Sequence, residues 1–158
     1  MTIPKMKTTT RKAKLVDAKV IHNLINTAAV KGDVVPRSLS EIYESIRDFL
    51  IAEENGKVVG CCGLHIAWEN LAEVRSLVVV PVQQKKGIGA KLLQATLKEA
   101  KHLALPKVFA LTNKPDFFQK HGFERISRKS LPHKIWGDCL KCPKFPKCDE
   151  VALWKKLS

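Results

Sequence analysis

Negative charge and aromatic rings are what this chain has least of. Fifteen Asp and Glu stand against 28 Lys and Arg, a formal net charge of +13. Nucleic acid is one partner such a balance could serve. The aromatics that would stack on bases number only three Trp, one Tyr and six Phe, and no nucleic-acid-binding motif is present. A nucleic-acid role is therefore not expected. Apolar runs are short: none reaches the ~20 residues a membrane span needs. The opening MTIPKMKTTTRKAK is basic but lacks the apolar core of a secretory signal, so a cytoplasmic protein is expected. Five cysteines without such a signal argue against a disulfide framework. There is no GxxxxGK[ST], which removes the nucleoside-triphosphatase reading. No GxGxxG is followed by an acidic residue roughly 20 positions on, which disfavours a dinucleotide. Internal repeats and low-complexity segments are absent.

What is present suits one domain over residues 1–158, with 45% apolar and 27% charged residues. The basic excess has two readings, a solvated surface or a field that attracts anionic ligands. The most informative stretch runs from Val74 to Ala100, VRSLVVVPVQQKKGIGAKLLQATLKEA. It opens as a β-branched run, Leu77 to Val80, stopped by Pro81. A basic, glycine-bearing turn follows, Gln84 to Gly89. Then apolar residues recur at Ile88, Leu92, Leu93, Leu97, Ala100 and Leu103, the spacing of a helix with one buried face. Strand, glycine turn and helix build a phosphate cradle. Glycine lets the backbone approach an anion, and the first N–H groups of the helix have no internal acceptor.

The remaining elements follow from pattern. A strand is expected at Met6 to Arg11. A helix opens at Val16 to Lys19, carries Val20, Ile21, Leu24, Ile25 and Ala28, and ends near Gly32. Ser38 with Glu41 three residues on is a capping box, opening a second helix that runs to about Phe49. Leu50 to Glu53 is a strand, Asn55-Gly56 a hairpin turn, and Lys57 to Trp68 the returning strand, with Cys61 and Cys62 as core filler. After a turn at Glu69-Asn70 the central strand spans Glu73 to Val80. Later come a strand at Lys107 to Thr112, a short helix at Asp116 to His121, a strand at Phe123 to Ser127 and a last strand at Glu150 to Leu157.

Gln84, Gly87 and Gly89, with Ala90 behind, match the [Gln/Arg]-x-x-Gly-x-[Gly/Ala] motif of the GNAT acetyltransferases, and Leu77-Val78-Val79-Val80-Pro81 resembles that family's central strand. The order β-α-α-β-β-β-α-β-α-β-β also resembles the GNAT topology over essentially the whole chain. The resemblance implies an α/β (α+β) acyl-CoA N-acyltransferase fold, a mixed central sheet splayed around coenzyme A with flanking helices. It implies acetyl-coenzyme A as cofactor. The cofactor would be held by the backbone of Leu77, Val78 and Val79 on the strand and by Gln84, Lys85, Lys86, Gly87, Ile88, Gly89 and Ala90 in the cradle. Asn113, after the next strand, joins this set.

Acetyl transfer to an amine also needs a group to take the amine's proton. Glu73 and Arg75 share a face of the central strand, since side chains alternate. Glu73 is the candidate base, and the alternative is a salt-bridged or solvated glutamate. Arg75 either forks onto a substrate carboxylate or pairs with Glu73. Arg37, in the loop between the first two helices, is a second carboxylate candidate. Many GNATs carry a tyrosine acid four residues before the Gly-Phe that follows the fourth helix. Here Gly122-Phe123 puts Phe118 at that position, and phenylalanine donates no proton.

Residues 131–149 form a cysteine-rich insert, LPHKIWGDCLKCPKFPKCDE in context. Cys139, Cys142 and Cys148 could bind zinc, with His133 completing a tetrahedral set. The alternative is a loop of reduced cysteines packed by Ile135, Trp136 and Phe145. The strings LPHKIWGDC and CPKFPKCDE, with VVPRSLSEIYESIRDFLIAEENGKVVGCCGLHI and EVRSLVVVP, closely resemble the short single-domain bacterial N-acetylglutamate synthases, which lack an amino-acid-kinase domain. That resemblance implies L-glutamate as acceptor and a place in arginine biosynthesis. The partners expected are the amino-acid substrate and a second copy of the chain, with neither nucleic acid nor membrane. Another small amine or a protein N-terminus as acceptor, and a non-catalytic coenzyme A-binding module, are the competing readings.

Overall fold

The computed structural model describes residues 8–81, 84, 87–132, 135 and 150–157. Among them the chain runs β1 (Thr8–Lys12), α1 (Ala18–Val30), α2 (Leu39–Glu44), β2 (Phe49–Glu54), β3 (Lys57–Trp68) and β4 (Leu71–Val79). It continues through α3 (Ile88–His102), β5 (Lys107–Thr112), α4 (Pro115–Lys120), β6 (Glu124–Ile126) and β7 (Val151–Lys156). The strands form a seven-stranded sheet in the order β1-β2-β3-β4-β5-β7-β6. The sheet is mixed. β1 with β2, β2 with β3, β5 with β7 and β6 with β7 are antiparallel, whereas β4 and β5 run parallel, paired at Ala72 with Val108 and Glu73 with Phe109. By contacts the chain divides into two compact units, Met1–Gly63 with Ser76–Lys98 and Leu64–Arg75 with Glu99–Ser158.

In the first unit α1 buries Ala18, Ile21, Leu24 and Ile25 against Ile42, Phe49, Ile51, Cys61 and Val78. Val20, expected on that face, is 41% exposed, so the apolar stripe of α1 is narrower than its composition suggests. The helix stops as expected, with Gly32 at φ 80° and its N–H donating to the Ala29 carbonyl. The Ser38 capping box is present: the Glu41 N–H donates to Ser38 Oγ at 3.1 Å, and Ser38 N–H reaches back to Glu41 Oε1 at 3.4 Å. α2 does not continue to Phe49. It ends at Glu44, a 3-10 turn at Ile46–Asp48 follows, and Phe49 opens β2 opposite Gly63. The physical reason is that Phe49 to Ala52 is one fully buried run, and strand pairing satisfies its backbone while both faces are covered. Asn55 at φ 54° and Gly56 at φ 74° form the hairpin turn to β3.

One buried acid in this unit is fully accounted for. Asp17 accepts two hydrogen bonds from Arg11, at 2.8 and 3.1 Å, and one from the Lys14 N–H at 2.7 Å. Arg11 also holds Glu53 on β2. These bonds, Arg11 first, hold the Asp17 carboxyl below the usual carboxylate range despite its burial, and raise the Arg11 guanidinium further.

In the second unit Leu71, Phe109, Leu131, Ile135 and Ala152 form the core, with Ile126 and Trp154 packed on it. The Lys107 ammonium lies 3.7 Å from the centre of the Trp154 ring. Leu103, expected on the buried face of α3, is 52% exposed. α3 ends at His102, Ala104 turns left-handed at φ 58°, and the Leu105 N–H closes back onto the Ala100 carbonyl. That reversal carries Leu103 outward and buries Leu105 instead.

Candidate functional site

β4 is the strand that leads into the expected cradle. Its burial alternates: Val74, Ser76 and Val78 are buried, while Glu73, Arg75, Leu77 and Val79 are half-buried. Ser76 breaks the extended backbone with φ 57° although it is neither glycine nor in a turn. A left-handed residue inside a strand is costly, and such positions concentrate where a backbone is shaped for a task. β3 is fitted to it. Gly60 brings its backbone so close that a methyl there would lie 2.9 Å from the Val78 carbonyl oxygen. Cys61 Sγ donates to the Ser76 carbonyl at 3.5 Å. The glycine in a strand was a legible signal of close backbone approach. Nothing in the residue pattern marked Ser76.

The turn half begins where Gln84 Nε2 donates to the Val79 carbonyl at 3.0 Å, tying the turn back to the strand. Gly87 has φ 81°, which favours glycine, and apart from its chain neighbours no described residue has an atom within 4 Å of where a Cβ would be. Its carbonyl accepts from the Lys91 N–H at 3.1 Å, so Gly87 is the residue from which α3 starts. Ile88, buried, anchors the first turn, while Gly89 and Ala90 are half-buried. By helix geometry the N–H groups of Ile88, Gly89 and Ala90 have no intrahelical acceptor. No acidic residue of α3 occupies that first turn to offset the positive end of the dipole, and Lys101 and His102 sit in the last, where cations are favourable. A glycine turn followed by free helical N–H groups can receive an anionic group. Lys85 and Lys86 lie outside the described residues.

Glu73 and Arg75 are brought together. Arg75 Nη1 lies 3.7 Å from Glu73 Oε1, with side chains only 16% and 15% exposed. That is an ion pair at a distance too long for a strong hydrogen bond. Arg37 is held differently. Its guanidinium is 3.7 Å from Glu41, its buried Nε has no hydrogen-bond partner among the described residues, and its backbone is bonded to the Asn26 side chain. A buried donor left unmet costs about 1–3 kcal/mol, which an incoming acceptor would recover. Asn26 was not singled out from sequence, because its contact is eleven residues away and needs the folded loop.

Asn113 is half-buried between β5 and α4. Phe118 is core: it is 6% exposed and meets Phe117 and Phe123 edge to face. The half-buried His121 rests its ring against Phe117. Cys61 and Cys62 are fully buried, and burial pushes both thiols up, Cys62 to about 12. Neither is a nucleophile at neutral pH. The candidate zinc ligands Cys139, Cys142 and Cys148, together with His133, lie outside the described residues. Among the described residues no three metal-ligating side chains cluster, and no helix is long and apolar enough to cross a membrane.

Residues 45–125 match the family model described as an acetyltransferase (GNAT) domain. An uncharacterized N-acetyltransferase of Chlorobaculum tepidum is 38% identical over 98% of this chain and all of its own length. An amino-acid acetyltransferase of Mycobacterium tuberculosis is 37% identical over 81% of this chain and 75% of its own. Among solved structures, the N-acetylglutamate synthase of Neisseria gonorrhoeae complexed with coenzyme A and N-acetyl-glutamate superimposes with a TM-score of 0.87 and 26% identity. That match covers 98% of this chain and 36% of the larger protein.

Proposed function

Given that the chain belongs to the GNAT acetyltransferases, we propose that it transfers the acetyl group of acetyl-coenzyme A to the α-amino group of an acidic amino acid, L-glutamate. The observation that carries the acceptor is Arg37, a loop guanidinium with an anchored backbone and a buried Nε donor that no described residue meets. An arginine so arranged suits a carboxylate. Arg75, half-buried on β4, is a separate candidate for a substrate carboxylate. The naming of relatives as amino-acid acetyltransferases supports an amino-acid acceptor, and the complex of a structural neighbour with N-acetyl-glutamate supports this particular one.

Bound acetyl-coenzyme A supplies an acetyl group activated as a thioester. In this proposal Gln84, Lys85, Lys86 and Gly87 through Ala90 hold its pyrophosphate on the amino end of α3. The backbone of Leu77 to Val79 pairs with the pantetheine arm and offers an N–H to the thioester carbonyl, where negative charge develops. Asn113 completes the cofactor set. Glu73 takes the proton from the acceptor ammonium, directly or through water, while Arg75 balances the carboxylate's charge. Phe118 takes no part. Water protonates the departing thiolate, which a thiol pKa of about 8.5 makes undemanding.

The test is thiol release from acetyl-coenzyme A against the twenty amino acids, spermidine and a short peptide. Saturable turnover with glutamate, well above aspartate and glutamine, is expected. Turnover confined to spermidine or the peptide would overturn the acceptor while leaving the cradle. In the same assay Arg75→Ala should raise the glutamate KM at least tenfold, the loss of roughly 1.4 kcal/mol, with the acetyl-coenzyme A KM little changed. Equal effects on both would remove Arg75 from acceptor binding.

A further inference from the structure

One side chain of α1 holds the backbone of Arg37. Asn26, on the third turn of α1, donates from Nδ2 to the Arg37 carbonyl at 2.8 Å and accepts at Oδ1 from the Arg37 N–H at 3.3 Å. One carboxamide thus satisfies both backbone groups of Arg37, as a neighbouring strand would. The same Nδ2 donates to the His22 carbonyl one turn back at 2.9 Å, which fixes the rotamer of Asn26 on the helix. Around this clamp the chain has little freedom. Pro36 precedes Arg37 with a fixed φ and no N–H of its own. Ser38 follows and is locked into the α2 capping box. The backbone of Arg37 is therefore held by α1 on one side and by α2 on the other, although residue 37 lies in a connecting loop.

The guanidinium contrasts with this firm backbone. Its Nη1 approaches Glu41 Oε2 at 3.7 Å, Glu41 Oε1 is already engaged by Ser38, and among the described residues nothing accepts from the buried Nε. A firm backbone and a buried Nε that no described residue meets together describe a side chain set in place before its ligand arrives, and such preorganisation lowers the entropic penalty of binding.

We propose that Asn26 is a positioning residue for acceptor recognition: its carboxamide presents the Arg37 guanidinium to the carboxylate of the amino-acid substrate. This rests on the reading of Arg37 as a carboxylate ligand given above. The function of Asn26 is then specificity for the acceptor, with no part in the acetyl donor's site.

The experiment is a double-mutant cycle on the full chain with L-glutamate as acceptor. It comprises Asn26→Ala, Arg37→Ala and the pair, reading kcat, both KM values and the thermal midpoint. Alanine is the best helix former, so α1 should survive the change. Asn26→Asp provides a second, isosteric variant that keeps an acceptor for the Arg37 N–H but loses the donor to its carbonyl. Loss of the clamp should raise the glutamate KM about tenfold, what two hydrogen bonds of ordinary net strength amount to. The acetyl-coenzyme A KM and kcat should stay within about twofold, taking the usual tolerance of independent sites. In the Arg37→Ala background the Asn26 effect should vanish, because the clamp then has nothing to present. If Arg37→Ala raises the glutamate KM while Asn26→Ala does not, the positioning role is refuted and the Arg37 reading stands. If the two effects multiply independently, Asn26 acts by general stability and the proposal also fails. If Arg37→Ala leaves the glutamate KM unchanged, the Arg37 reading falls and takes the positioning role with it.

Discussion

Replacing Gly60 by alanine would place a methyl 2.9 Å from the Val78 carbonyl oxygen, 3.0 Å from Leu92 Cδ1 and 3.5 Å from Val79 Cγ2. The first contact is shorter than carbon and oxygen tolerate, and its partner is backbone. The second partner has little room to turn, since Leu92 is fully buried. Backbone conformation is not the obstacle, because Gly60 is not left-handed. Overfilling a packed site costs about 1–3 kcal/mol, toward the upper end here because a strand must shift. Stiffening the unfolded chain returns about 0.4–1 kcal/mol. The expected net loss is about 1–2 kcal/mol, or a melting temperature lower by roughly 2–8 °C for a chain of this size. The displaced segment, Val78-Val79, is the one proposed to pair with the pantetheine arm. The acetyl-coenzyme A KM should therefore rise while the glutamate KM holds. Urea denaturation followed by circular dichroism, together with thiol-release kinetics, measures both. An alanine variant with an unchanged urea midpoint and an unchanged acetyl-coenzyme A KM would refute the claim that β3 shapes β4 through this glycine.

Asp17→Asn should cost about 2 kcal/mol at neutral pH, since it removes charge-assisted bonds from a buried site. The Asp17 pKa is lowered in the fold, so its contribution is present above the unfolded value near 3.8 and lost as pH falls through the folded value. The variant should accordingly show a flatter acid limb below about pH 4 in denaturation midpoints against pH; parallel curves would exclude the Arg11–Asp17 pair as its cause. Ala104→Gly should stabilise the protein by about 0.5–1 kcal/mol, because the left-handed penalty of roughly 1–2 kcal/mol exceeds the entropic cost of glycine; a lower melting temperature would count against that turn. Alkylation at pH 8 followed by peptide mapping should leave Cys61 and Cys62 unmodified until denaturant is added, given their burial and raised thiol pKa values; rapid labelling of either in the native protein would contradict the core placement.

Local chemistry was legible wherever a residue's task depends on its own neighbours in sequence. Ser38 and Glu41 form their capping box, Asn55-Gly56 its hairpin turn and Gly87 the start of α3, because each is decided within a few residues by backbone sterics and unmet N–H groups. The strand–turn–helix pattern from Leu77 onward therefore carried both the family and the cofactor. The same reasoning missed the end of α2, where apolar residues fit a helix or a strand equally well until a partner is present, and the exposure of Leu103, which follows from the left-handed turn at Ala104.

The sequence by itself carried the fold class, through its resemblance to the GNAT family, the strand–turn–helix pattern expected to cradle phosphate, and the phenylalanine at 118 where many of that family place a tyrosine. Only the tertiary structure decided that Ser76 is left-handed inside β4, that Gly60 makes room for the Val78 carbonyl and that Asn26 clamps Arg37 across the α1–α2 connection. Those facts rest on contacts between segments far apart along the chain. No local preference encodes them, because each exists only once hydrophobic burial has brought the segments within reach.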